Sequence, residues 1–234
     1  MGKRSRKKAR GARRVVGGLF AFLLALPVTY LGVCSMWLVL YLVVPPPITG
    51  VQIQRLIEAR FEEEPMRHAY RPVRGENIPL ELRRAVVAAE DARFYQHRGI
   101  DVDAVRIAVE EGRRRGGGIR GASTITQQLV KNLFMTTHRS WVRKAMEVPL
   151  ALVAEIVLPK ERILTLYLTV VEWDRGVYGA EAAARHHYGI SASDLTRHQA
   201  ASLAACLPNP RERRPQQMGW YTTIILRRMS QMGW

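Results

Sequence analysis

Cysteine is nearly missing from this chain: Cys34 and Cys206 are the only two in 234 residues. Cys34 lies inside a long uncharged run and Cys206 far beyond it, so the two are not expected to pair, and a disulfide-stapled scaffold is excluded. Acidic residues are also scarce, 20 Asp and Glu against 36 Lys and Arg, for a net charge of +16. Internal repeats are absent, and so is any convincing series of alternating strands, which leaves a mainly helical reading. The last absence is local. Residues 15–44 (VVGGLFAFLLALPVTYLGVCSMWLVLYLVV) carry no charge at all, directly after a stretch, residues 3–14, that holds eight Lys or Arg and no acid.

About 20 apolar residues span a bilayer core, so the uncharged run reads as one transmembrane helix. A cleaved signal peptide has a shorter apolar core ending in small residues, whereas this run ends in Pro45-Pro46-Pro47, which argues for a retained anchor. The basic tail then stays in the cytoplasm by the positive-inside rule, and everything after residue 44 lies across the membrane. Half of the net positive charge sits on the tail and half on the exported part. This argues against nucleic acid as a partner and for anionic lipid headgroups or a phosphate-bearing lipid. The expected organisation is a basic cytoplasmic tail (1–14), a transmembrane helix (15–44), a juxtamembrane linker (45–77) and a catalytic domain (78–234).

In the exported part, residues 51–61 have helical apolar spacing that ends at Glu62-Glu63-Glu64-Pro65, and the only strand candidates lie near residues 66–73. Pro79 suits a first helical turn, and Leu82, Val86, Ala89 and Phe94 predict one apolar face that Glu90 shares or borders, with the helix ending at Gly99. Asp101 can cap the next helix, to about Arg115, before the glycine-rich stretch 116–121, a candidate mobile lip. Thr124 with Gln127 has capping-box spacing, and Ile125, Leu129 and Leu133 form a core stripe. The helix start there, with its free N–H groups and Lys131 two turns in, is a favourable place for an anion. A longer helix over 139–159 carries Arg143, Lys144 and Glu147 on one side and contains Pro149, which should kink it. The stretch 171–179 (VEWDRGVYG) reads as a loop, 180–188 as a small-residue helix ended by Gly189, and Thr196 with Gln199 as a second capping box. His186 and His187 lack a third ligand at metal spacing and are not read as a metal site.

Five stretches in order, AAEDARFYQHRGID, GASTITQQLVKNLF, RKAMEVPLALVAEIVLPKERIL, YLTVVEWDRGVYGAEAAARHHYG and LAACLPNP, resemble the peptidoglycan glycosyltransferases, which polymerise lipid II outside the bacterial membrane. The resemblance runs from about Ile78 to Pro210. Length and a single anchor fit the monofunctional members, the family shared with the glycosyltransferase domain of class A penicillin-binding proteins. The formal Ser-x-x-Lys match at Ser5 to Lys8 lies in the cytoplasmic tail, with no Lys-Thr-Gly after it, and is a chance match.

The resemblance implies a lysozyme-like helical catalytic lobe with a smaller mobile membrane-proximal lobe around residues 102–122. It places the protein in the bacterial inner membrane, single-pass, with its catalytic domain periplasmic. It implies lipid II and the growing lipid-linked strand as partners, leaving room for other cell wall synthesis or division proteins. Glu90 matches the catalytic base, and its place against an apolar face should raise its pKa by desolvation. Lys131, Arg139 and Lys144 match positions facing the leaving diphosphate. Gln127 and Gln128 match the motif lining the sugar and phosphate sites, with Ser123 and Thr124 beside them. Glu147 matches a second acid that orients cationic groups or holds a divalent cation, Mg or Mn, at the diphosphate; its alternative is an ion pair with Arg143. No organic cofactor is implied. Phe94 belongs to the substrate motif, although its spacing alone reads as core. Asp91 reads as a solvated or structural acid, and His97 as support for the helix end.

Three departures stand out. Gly121-Ala122 replaces the usual Gly-Gly, and Thr165 and Thr169 stand where the family pattern has Glu and Asn, which removes a supporting salt bridge. Two other readings therefore stay open: an inactive membrane-anchored scaffold that binds lipid II, and a glycan-cleaving lytic transglycosylase, which needs neither a phosphate-binding cluster nor a lipid-side anchor.

Overall fold

A computed structural model describes residue 18 and residues 21–22, 25–62, 67–117, 121–138 and 140–234. The helices are α1 (25–40), α2 (Gly50–Glu58), α3 (Leu80–Glu90), α4 (Val102–Arg115), α5 (Ile125–Phe134), α6 (Trp141–Val157), α7 (Lys160–Val170), α8 (Ala180–Tyr188), α9 (Arg197–Ala204) and α10 (Gly219–Gln231). The protein is mainly helical, as expected. One small sheet joins β1 (Ala69–Tyr70), β2 (Glu172–Asp174) and β3 (Val177–Tyr178) in the order β1-β3-β2, with β1 parallel and β2 antiparallel to β3. The stretch 171–179 is thus a hairpin turning at Arg175-Gly176, not a loop. Its inward side chains were unrecognisable as strand because all of β2 and β3 is buried, which erases alternation.

Capping decides most of the helix starts. Asp101 caps α4 through the Ala104 N–H at 2.9 Å, and both Thr-x-x-Gln boxes form as their spacing predicts, at α5 and α9. Pro149 lies within α6, which continues through it to Val157. Helix α3, however, stops at Glu90, and residues 92–99 make turns instead of completing the helix to Gly99. The reason is tertiary. Gly99 has φ +83°, and a Cβ there would lie 3.0 Å from the Ala151 carbonyl oxygen, so these turns fold tightly onto α6.

The core packs α3 against α9 and α10, and α5 against α6, α7 and α2. Trp173, Tyr167, Tyr178 and Phe94 are its largest fully buried side chains. The described residues of the segment 45–77, expected as a linker, pack on this body. A Cβ on Gly50 would lie 2.7 Å from the Met135 carbonyl oxygen, Gln54 bonds Thr137, and β1 pairs with β3.

Helix α1 also docks on the body. Cys34, Leu38 and Tyr41 are buried within the core, the Tyr30 hydroxyl donates to the Phe134 carbonyl at 2.7 Å, and Arg162 donates to the Tyr41 carbonyl at 2.7 Å. Its other side exposes Val28, Val33, Met36, Val39 and Leu40. Among the described residues no helix is long and apolar enough to cross a membrane, and much of the expected span before residue 25 lies outside them.

Candidate active site

The site is built where the end of α3 meets α5, α6 and α7. Glu90 ends α3 and is partly buried. The Gln128 amide on α5 donates to its Oε2 at 2.8 Å, and the Tyr167 hydroxyl on α7 donates to Oε1 of the same amide at 2.8 Å. The chain Tyr167 to Gln128 to Glu90 fixes the amide so that its NH2 faces the carboxylate. Tyr167 is fully buried, and burial with the charges of Glu90 and Asp91 pushes its phenol well above the usual range, so it remains a donor. Burial also raises the Glu90 pKa. The Gln128 hydrogen bond and the charges of Lys131 and Arg213 oppose that rise, and Asp91 adds to it.

Asp91 has a different task. It is buried, accepts from His97 Nε2 at 2.9 Å and takes the Ile125 backbone N–H at 3.0 Å. The start of α5, which the sequence offers as an anion site, is therefore occupied by a carboxylate of the chain itself, and this satisfies the helix's orphan donor and its dipole. Thr124 and Gln127 are buried there too. The Thr124 hydroxyl donates to the Gly99 carbonyl at 2.6 Å, and Gln127 Oε1 accepts the Thr124 N–H at 3.1 Å, so both side chains hold the turn against α5.

A cationic group stands near Glu90. Lys131 lies one turn beyond Gln128 on α5 and feels the charges of Glu90 and Arg143. Arg143 and Lys144 both contact Glu147, Lys144 through Nζ at 3.0 Å, and Lys144 also reaches the exposed Ser123 hydroxyl at 3.1 Å. Glu147 itself is 3% exposed. Burial, then the charge of Arg143, lowers the pKa of both lysines, and Lys144 is further lowered by Lys131. Crowded like charges in a partly dry place favour an anionic ligand.

Of the residues expected from sequence, Glu90 is bonded to Gln128, and Lys144 is bonded to both Ser123 and Glu147, with Lys131 near enough to act electrostatically on Glu90 and Lys144. Arg139 lies outside the described residues. Phe94, placed in the substrate motif, is fully buried in the core, as its spacing alone suggests, with Lys160 Nζ 4.3 Å from its ring centre. The ion pair of Glu147 with Arg143, the alternative to a direct role, is present. Sequence reasoning missed Tyr167 and Arg213 near Glu90. Tyr167 sat among the apolar residues of α7, and only its position opposite Gln128 reveals a use.

The Thr165 departure also finds its answer here. Arg83 donates to the Thr165 hydroxyl at 3.1 Å and to the carbonyls of Gly75 at 2.7 Å and Ile78 at 3.3 Å. Arg83 is thus held by three oxygen acceptors, two of them backbone carbonyls. Thr169 bonds back to the Thr165 carbonyl at 2.8 Å.

A helical body that sets a desolvated glutamate near a cationic cluster is equipped for acid–base chemistry on an anionic ligand. The chain matches the family model described as Transglycosylase over residues 57–231. A biosynthetic peptidoglycan transglycosylase of Pseudomonas fluorescens strain SBW25 is 49% identical over 185 residues, 79% of this chain and 77% of its own. Another, from Pseudomonas fluorescens strain Pf-5, is 44% identical over 232 residues, 94% of this chain and 90% of its own. A third, from Ectopseudomonas mendocina, is 48% identical over 169 residues, 71% and 69% of the two chains. The chain belongs to the transglycosylase family, and is a glycosyltransferase.

Proposed function

We propose that this enzyme polymerises lipid II into β-1,4-linked glycan strands in cell wall synthesis. The observation that carries the reading is the pairing of a desolvated, amide-held Glu90 with the Lys131, Arg143 and Lys144 cluster. In the step it supports, the acceptor sugar's 4-hydroxyl oxygen bonds to the anomeric carbon of the lipid-linked strand, and the bond from that carbon to the diphosphate breaks with inversion. The hydroxyl proton passes to Glu90, and the leaving undecaprenyl diphosphate carries off the electron pair, its charge met by the cations.

Glu147 aligns Arg143 and Lys144 in this scheme and touches no reacting atom. A divalent cation does not fit the resting donor set. The carboxylate oxygens of Glu147 are already engaged by Arg143 and Lys144, and a hard ion needs several oxygen ligands, so no step is routed through a metal. A glycan-cutting enzyme has no use for this cationic group, and Thr165 leaves Arg83 well bonded, which weakens the case for an inactive scaffold.

The same reading places the enzyme in the cell envelope, held by residues 15–44 as a single membrane span. The exposed apolar side of α1 supports this, as does α4, which buries only Gly112 and exposes Val102 and Ile107. The test is polymerisation of lipid II by the purified protein in detergent with a divalent cation. Wild type should give polymeric glycan and Glu90→Gln none. No polymer from well-folded wild type would favour the scaffold, and digestion of preformed glycan would favour the cutter.

A further inference from the structure

Away from the Glu90 site, the hairpin and α8 bring together three groups that are separate in sequence. Asp174 ends β2, while His186 and His187 lie in the last turn of α8. One ligand atom from each lies within 4.8 Å of the others. His186 Nε2 is 3.0 Å from Asp174 Oδ2, and His187 Nε2 is 4.0 Å from the same oxygen. Zinc-class ions hold nitrogen and oxygen ligands at about 2.0–2.1 Å, which sets tetrahedral neighbours roughly 3.3 to 3.4 Å apart. The two observed spacings bracket that edge, so small ring rotations would close the set.

The surroundings supply the supports that metal ligands require. The His187 side chain is 4% exposed, and its buried Nε2 has no hydrogen-bond partner, while the ring bonds the Trp173 backbone through its other nitrogen. A buried nitrogen without a partner is costly, and a bound ion removes that cost. On Asp174 the outer oxygen, Oδ1, takes the Arg175 N–H at 2.6 Å and Arg214 at 3.1 Å, which holds the carboxylate and leaves Oδ2 for the histidines.

We propose that Asp174, His186 and His187 form a binding site for a borderline transition-metal ion of the zinc class, pinning the β2–β3 hairpin to α8, with its open position on the solvent side, where His186 is 30% exposed. Imidazole and carboxylate donors suit such ions, and the site is distinct from the oxygen-rich setting that magnesium prefers. Binding has a built-in competitor. Arg67 stands 3.1 Å from His186 Nδ1, an arrangement that places the ring proton on Nε2, toward Asp174. A metal on Nε2 moves that proton to Nδ1 and displaces Arg67.

The experiment is a Co2+ titration of the full chain in detergent, carrying a tag without histidine and stripped with chelator, followed by competition with Zn2+. One equivalent of Co2+ should give the visible bands of a tetrahedral site, lost on adding Zn2+, and Zn2+ should raise the melting temperature. His187→Phe should weaken binding by more than tenfold. His186→Gln, on the exposed edge and so least able to disturb folding, should do the same, whereas Arg67→Ala should tighten it. Failure to bind one equivalent overturns the proposal. So does tight binding that survives His187→Phe and His186→Gln, which would move the ion to another cluster such as Asp91, His97 and Asp101.

Discussion

At the scale of single residues, Glu90 and Asp91 are neighbours with opposite fates. Glu90 faces an amide and a cationic group, while Asp91 is buried under the start of α5. Because the folded pKa of Glu90 is raised, the folded state binds its proton more tightly than the unfolded chain does, so its carboxylate costs stability as pH rises from the unfolded to the folded pKa. Glu90→Gln should therefore melt at a higher temperature than wild type at neutral pH, with the gain vanishing in acid below the ordinary Glu pKa, as thermal melts across pH would show. Activity should fall on the acid side as Glu90 protonates and on the alkaline side as Lys131, whose pKa is lowered, loses its charge. Tyr167→Phe leaves Gln128 Oε1 without its donor and lets the amide turn. With the base misplaced, kcat should drop roughly 10- to 100-fold with KM little changed, read from steady-state polymerisation of lipid II. A drop in stability alone with kcat intact would remove Tyr167 from the positioning chain.

At the scale of elements, the region from Gly99 to α5 is a clamp. The Thr124 hydroxyl both caps α5, from the Gln127 N–H at 3.2 Å, and reaches the Gly99 carbonyl. Thr124→Ala should cost about 1–2 kcal/mol in denaturant unfolding, the usual loss for a removed cap. Thr124→Ser, which keeps the hydroxyl, should recover most of it. Equal losses from both variants would mean that the methyl group, not the hydroxyl, matters. The element boundaries show how far sequence reasoning reaches. The capping residues of α4, α5 and α9 were legible because a cap is a bond between residues two or three apart. The end of α3 was not, since the backbone leaves the helix to pack Gly99 on Ala151, and that neighbour is remote in sequence.

For the whole molecule, the notable feature is that α1 belongs to the core as well as to the uncharged run. Leu38 is fully buried against the body, whereas its neighbour Val39 is 54% exposed. Leu38→Ala should destabilise the protein by about 2–5 kcal/mol, and Val39→Ala by less than about 0.5 kcal/mol, measured by thermal unfolding in the same detergent. Comparable small effects would show that α1 and the body fold independently. The docking ties α1 to the body at two places: Tyr30 donates to the Phe134 carbonyl at the end of α5, and Arg162 on α7 donates to the Tyr41 carbonyl just after α1.

The sequence by itself determined the helical class, the uncharged run, the capped helix starts and the family, because each rests on local spacing or on an ordered set of motifs. Only the tertiary structure decided which groups meet. It buried Phe94 in the core, filled the start of α5 with Asp91, turned Gln128 toward Glu90 under Tyr167, and brought Asp174 to His186 and His187. Such contacts join residues far apart in sequence, 39 positions for Tyr167 and Gln128, and the free energy that selects them comes from packing and desolvation, which no local pattern records.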